Sequence, residues 1–266
     1  MIRSIAYGVR VYFAEAWLSY HGRYSITSPF GYITSKLGFP FFLMIFFLFM
    51  AKFVGFVDPA YIVIGNVLLI PASGSMSGVT LAIGDERGWG TLSYVLGSPA
   101  ARLPIFMGRA FFYILDGFLT SLLGLAISAL IFHLDLSVIN IPLLLACILL
   151  LAISSSGLGF LFGSLSLIWR DGWVALNNFL ALLYILVGVN VPIEILPGVL
   201  SKVGYYLPLT RGIQATRMVL NGSAWSQISS LLSGEIFVGL IYILIGFSIF
   251  LLIEKQSMSS GTLDAM

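Results

Sequence analysis

Acid–base, nucleophilic and metal chemistry need His, Cys, Ser, Lys or carboxylates at close spacing, and this sequence offers few such groupings. His21 and His133 are its two histidines; they fall on opposite sides of the membrane spans assigned below, and neither belongs to a His-Glu-x-x-His helix, so they build no shared metal site. Cys147, the single cysteine, sits inside a long apolar run, which excludes a disulfide within the chain and a thiolate cluster. Ser154-Ser155-Ser156-Gly157 has small residues but no nucleophile elbow and no usable histidine nearby. None of the four lysines, Lys36, Lys52, Lys202 and Lys255, follows the Gly-rich spacing of a phosphate-cradling loop. The expectation is a chain with no catalytic residue, no metal and no bound cofactor of its own.

The elements that position the remaining polar groups are dictated by composition. The 13 Lys and Arg and 11 Asp and Glu make up 9% of the 266 residues, against about 25% in soluble domains. With 59% apolar residues and a mean hydropathy of +1.04, the bilayer must serve as part of the solvent. A net charge of +2 is too small and dispersed for nucleic acid. The amino terminus shows no secretory-signal pattern, so insertion is expected to rely on uncleaved spans. Ile2, Ile5, Val9, Tyr12, Phe13, Ala16, Trp17 and Tyr20 share one helical face over residues 1–30, which predicts an amphipathic helix in the membrane interface, with packing on protein as the alternative.

A charge at the bilayer centre costs about 2.5–3.5 kcal/mol on insertion scales, so spans lie where charges stop. Six result: Ile33 to Phe53, Pro59 to Ile83, Pro104 to His133, the charge-free stretch between Asp135 and Arg170 that starts beside Asn140 and Pro142, Gly172 to Pro192, and Glu235 to Ile253. The expected fold is an all-α integral membrane protein, one transmembrane domain over residues 1–266. Nine of the 13 basic residues fall on one side of these spans and four on the other, which places both termini in the cytoplasm of a multi-pass plasma-membrane protein. Gly74 with Gly78, and Gly159 with Gly163, let helices approach closely, more readily within the chain than at a dimer seam.

Two connections are longer than spanning requires: a cytoplasmic stretch, 84–103, and an external stretch, 192–233. In the first, Trp89, Leu92, Val95 and Leu96 recur at helical spacing after Asp85 and Glu86, suited to a helix N-terminus, and Gly97-Ser98-Pro99 ends the pattern. A short amphipathic helix facing water suits contact with a soluble partner; a turn lying on the membrane is the plainer reading. Asp116 falls within the third span, seven residues after Arg109, and three readings stay open: a structural pair, a water-lined path, and proton coupling. Glu194 and Glu235 bracket the external stretch, where Lys202, Arg211 and Arg217 are expected to satisfy them.

Glu86-Arg87, Gly90-Thr91-Leu92 and Ser98-Pro99 with Arg102 resemble the pattern that follows the second span of type-2 ATP-binding-cassette (ABC) exporter permeases. Pro192, Leu196-Pro197, Leu207-Pro208-Leu209-Thr210 and Arg217 are similar to that family's extracytoplasmic signature. Gly88-Trp89 and Leu207 depart from the family pattern. The resemblance implies that Glu86, Arg87, Trp89, Thr91, Leu92, Val95 and Leu96 form a coupling helix seated in a separate cytoplasmic ATPase. It implies two such ATPase subunits carrying ATP and Mg, a second permease subunit in a homo- or heterodimer, and export by alternating access. The external stretch would be a re-entrant segment and outer gate through Pro192, Glu194, Pro197, Pro208, Arg211 and Arg217. The second and fifth spans would line the path with Asn66, Ser73, Met76 and Thr80 from one, and Asn177, Asn178, Phe179, Tyr184 and Asn190 from the other. Such a lining suits a hydrophobic or amphipathic drug, antibiotic, peptide or lipid; a polysaccharide-exporting permease and a proton-coupled secondary transporter are the alternatives.

Overall fold

The computed structural model describes residues 2–26, 28–34, 38–55, 59–88, 90–91, 94, 97–98, 102–132, 139–168 and 172–260. Among them every regular element is helical: α1 (Ile2–Ile26), α2 (Pro29–Ile33), α3 (Phe39–Val54), α4 (Pro59–Gly88), α5 (Arg102–Phe132), α6 (Ile141–Ser166), α7 (Gly172–Leu186), a single 3-10 turn (Ile193–Ile195), α8 (Gly198–Tyr206), α9 (Thr210–Leu220) and α10 (Trp225–Ser260). Starts follow local chemistry. Ser28 and Asn140 cap α2 and α6 by accepting from Gly31 N and Leu143 N at 3.1 Å each, with proline in the first helical turn.

Four helices carry stretches long and apolar enough to cross a membrane: Ala60–Gly84, Arg102–Ile131, Ile141–Ser166 and Trp225–Ile253. The first and fifth expected spans are shorter helices, α3 of 16 and α7 of 15 residues, or about 24 and 22 Å against a hydrocarbon core of about 30 Å. Close contacts fix the running directions. Met76, Thr80 and Gly84 of α4 meet Gly159, Gly163 and Ser166 of α6, while Ser154, Gly157 and Leu161 of α6 meet Gly239, Ile243 and Gly246 of α10, so α4, α6 and α10 run parallel. Gly78 lies on Tyr113 and Pro71 on Gly117, setting α5 antiparallel to α4. Phe179 packs on Phe162 and Gly172 on Ser166, setting α7 antiparallel to α6. Strict alternation from α4 through α7 is what consecutive crossings require, even for the short α7.

Two boundaries differ from the sequence reading. α4 does not stop at Ile83 but continues unbroken through Asp85, Glu86 and Arg87 to Gly88. Gly84 costs a helix about 1 kcal/mol relative to Ala, yet here it lies against Ser166, where a Cβ would collide with the hydroxyl. The two acids therefore belong to the last turn of a long helix, not to the first turn of a short one. The last helix begins at Trp225 instead of Glu235, for a reason given below. The core forms where α4, α6, α7 and α9 meet, around fully buried Leu68, Met76, Ile148, Leu151, Leu176, Leu183 and Ile213.

α1 packs along the start of α5: Gly8 lies at Pro104, Tyr12 at 5.6 Å from Phe111 between ring centroids, and Glu15 on Arg109. The expected apolar face is thereby divided. Tyr12 and Ala16 turn toward protein and Tyr20 sets its ring edge-on to Phe112 of α5, while Val9, Phe13 and Trp17 stay exposed on the side available to lipid.

Candidate functional site

The 3.6-residue repeat brings Ser73, Gly74, Ser77 and Gly78 onto one face of α4, a strip with almost no side-chain bulk. Facing it is α7, with Trp173, Asn177 and Tyr184, and the two are flanked by Phe47 of α3 and Tyr113 of α5. Together they enclose a half-open cleft of about 740 Å³. Ser73 Oγ donates to Ile70 O at 3.1 Å, Thr120 Oγ1 to Asp116 O at 2.7 Å, and Asn177 Nδ2 to Trp173 O at 2.9 Å. Phe47 and Tyr184 stack with centroids 6.2 Å apart, joining α3 to α7. No Asp, Glu, Lys, Arg or His lines the cleft among the described residues.

Three residues expected along the path, Ser73, Asn177 and Tyr184, therefore share this cleft. Asn66 and Asn190 also meet, but with each other: Asn66 Nδ2 donates to Asn190 Oδ1 at 2.7 Å and to Ile62 O at 2.9 Å, and both are buried. Asn66 in addition edges a second, smaller cavity of about 340 Å³ between α3, α4 and α5. Met76 and Thr80 face α6 rather than the cleft; Thr80 Oγ1 donates to Gly159 O at 3.2 Å, and both side chains are closed off from solvent. Asn178 is exposed on the outer face of α7, and Phe179 packs on Phe162 with centroids 5.1 Å apart. Ser73, Gly74 and Ser77 of α4 face the cleft instead of α6.

Between α7 and α10 the chain makes a compact insertion. Pro192 precedes the 3-10 turn, Pro197 precedes α8, and Pro208 holds Leu207 extended at φ −82° and ψ 144°, as a residue before proline prefers. Leu209 follows at φ +88°, a left-handed conformation rare for a branched side chain. The stabilising partner is Glu235. Fully buried on α10, its carboxylate accepts from Leu209 N at 2.6 Å, Gly212 N at 3.0 Å and Ser154 Oγ at 2.6 Å. It thus caps α9 from another helix, satisfying N–H groups that a helix start leaves open.

This corrects the expectation that Glu235 bounds the external stretch: its hydrogen bonds come from backbone N–H groups and Ser154, while Arg211, one of the basic residues expected to satisfy it, lies over the adjacent Gly234. A carboxylate with three donors at short range need not mark the end of a buried helix, so α10 runs past it. A lone Glu beside an apolar run was the available signal, and it reads as readily as a boundary.

Arg217 makes a second fastening. Its Nη1 donates to Gly188 O at 2.7 Å and its Nη2 to Val189 O at 2.9 Å and Tyr61 O at 3.1 Å, while the guanidinium carbon lies 3.4 Å from the Tyr61 ring centroid. Tyr61 Oη donates to the same Gly188 carbonyl at 2.8 Å. Gly65 permits this approach, because a Cβ there would meet Val189 O and Arg217. Burial pulls the Arg217 guanidinium down to about 10, opposed by Tyr61 and Glu194, so it remains a cation at neutral pH. The expected carboxylate partner is thus replaced by backbone carbonyls. Glu194 is exposed and accepts from Gln214 Nε2 at 3.4 Å, and Arg211 Nη1 donates to Tyr205 O.

Arg109 reaches α1, with Nε donating to Glu15 Oε2 at 2.9 Å and Nη1 to Ala82 O at 3.2 Å. Asp116, its expected partner two turns along, is buried in α5 near the cleft floor. Of the expected coupling helix, Glu86 and Arg87 lie on the last turn of α4, Thr91 is exposed with its carbonyl accepting from Tyr94 N at 3.1 Å, and Trp89, Leu92, Val95 and Leu96 lie outside the described residues.

Comparison of the sequence with protein-family models gives no match, and comparison with curated proteins gives none.

Proposed function

We propose that this chain is the membrane permease subunit of an ABC exporter, with six crossings, both termini in the cytoplasm and ATP hydrolysed with Mg by separate ATPase subunits. The cleft between α4 and α7 carries the reading: a volume of about 740 Å³ falls in the usual range for small-molecule sites, about 300–1,000 Å³. It gathers three of the residues the resemblance assigns to a path. The alternation of α4 to α7 agrees with α7 being a crossing. α9 also supports a re-entrant outer segment: Gly212 touches Leu151, about 15 Å along α6 from its start.

In this reading closure of the ATPases around ATP moves α4 through its cytoplasmic end, where Glu86 and Arg87 sit. The helix is continuous from that end to the cleft, so a displacement there reaches Ser73 and Ser77 without a hinge. Cargo held in the cleft is a hydrophobic or amphipathic compound, and no bond in it changes.

The test is reconstitution into vesicles with a Walker-motif ATPase from the neighbouring reading frame. The reading predicts ATP-driven transport that needs both polypeptides and is lost in Glu86→Ala with Arg87→Ala. Transport by the purified chain alone under an imposed pH gradient would instead make it a secondary transporter.

A further inference from the structure

The lining of the cleft specifies its occupant more narrowly than an amphipathic compound. We infer that the α4–α7 cleft binds an uncharged, flat aromatic molecule bearing one or two hydrogen-bonding groups, and that it does so within a single subunit. The inference rests on reading this cleft as the place of the cargo.

Four observations lead there. The floor, Ser73, Gly74 and Ser77, carries only small side chains, with the Tyr113 ring closing it over Gly78; Trp173 and Tyr184 stand on α7 toward its two ends, about 16 Å apart along the helix, so the space is a slot rimmed by aromatic side chains. Flat π-systems gain from offset or edge contact with such rings, about 0.5–1.5 kcal/mol beyond area burial. The hydroxyls of Ser77 and Tyr184 have no hydrogen-bond partner among the described residues, which a ligand donor or acceptor would satisfy and an acyl chain would not. No ionisable acid or base is among the described lining residues, so a charged ligand would lose its hydration without a counter-ion. A polysaccharide fits poorly for a related reason, because its many hydroxyls would face a wall that is mostly carbon.

Trp173 lies in the cleft and reports on it directly. The experiment uses the full chain in phosphatidylcholine nanodiscs, without any ATPase, with Trp17, Trp89, Trp169 and Trp225 replaced by Phe so that only Trp173 emits. The probes are phenylnaphthylamine, which is neutral, and anilinonaphthalene sulfonate, which is the same skeleton carrying a fixed negative charge. We expect saturable quenching of Trp173 by the neutral probe and binding roughly tenfold or more weaker for the sulfonate, equivalent to about 1.4 kcal/mol. Ser77→Leu and Ala181→Phe fill the slot from α4 and from α7, and each should raise Kd by at least about tenfold with the protein still monodisperse. Because they lie on different helices, failure of one to fold leaves the other decisive. Quenching that rises without saturation as probe enters the lipid, or that both filling variants leave unchanged, means the cleft holds only lipid and overturns the inference; so does equal affinity for the sulfonate. The outcome is separable from the exporter reading. Probe binding without ATP-driven transport would keep the cleft and remove the exporter, and transport without probe binding would do the reverse.

Discussion

Glu235 shows how one carboxylate can hold three elements. Its partners are Ser154 of α6 and the backbone of Leu209 and Gly212 at the start of α9, so removing it strands two N–H groups and a hydroxyl in a dry site. Glu235→Ala should cost about 3 kcal/mol, read as a lower midpoint in detergent thermal unfolding, with Glu235→Gln losing clearly less because it keeps an acceptor. If the two variants unfold alike, the carboxylate is not acting as a cap. Arg217→Lys tests the neighbouring fastening. An ammonium cannot span three carbonyls and stack on Tyr61 at once, so a loss of about 2 kcal/mol is expected. The pH dependence has a definite sign. With its pKa depressed to about 10 by burial, Arg217 imposes a cost that is constant below that pH and relieved only as pH rises above it. Comparing Arg217→Met, which places no titratable group there, with the parent at pH 6 and pH 8.5, conditions of the assay, should therefore give the same stability difference at both; a difference that changes across that window would assign it to another group.

At the scale of elements, glycine spacing and local capping residues are informative, whereas the partner of a polar residue inside a span is not. Gly159 and Gly163 were legible as close-approach positions, and they do bring α6 onto α4, where a Cβ on Gly159 would stand 2.8 Å from Met76 O. Gly159→Leu should therefore separate the two helices and cost about 3 kcal/mol, whereas Gly198→Ala, in open space at the start of α8, should be near neutral; equal effects in a thermal-shift assay would contradict this packing. Helix starts at Asn140 and Pro59, and the break at Leu207-Pro208, were likewise readable, because capping and proline sterics act locally. The run of α4 past Gly84 was not, since its support comes from Ser166, 82 positions away in sequence. Nor was the burial of Met76 and Thr80. Periodicity assigns residues to a face but does not say which neighbour that face meets. The pairing of Asn66 with Asn190 has the same origin: each is expected within a span as a residue of the path, and the turn after α7 brings them together.

For the whole molecule, the apolar excess foretold a membrane chain, and four long helices with two shorter companions realise it. The cleft follows from geometry that no single stretch encodes, four helices contributing one or two faces each. The exporter account joins that cleft to the cytoplasmic end of α4, and its central claim is that the segment after Gly88 is held by an ATPase. Thr91 is exposed and lies in that segment. A photo-cross-linking amino acid placed at Thr91, in native membranes of cells expressing the full chain, measures the contact most directly. The account predicts an adduct with a Walker-motif ATPase that disappears in Leu92→Asp. Adducts confined to lipid, with that ATPase present in the same membranes, would contradict it.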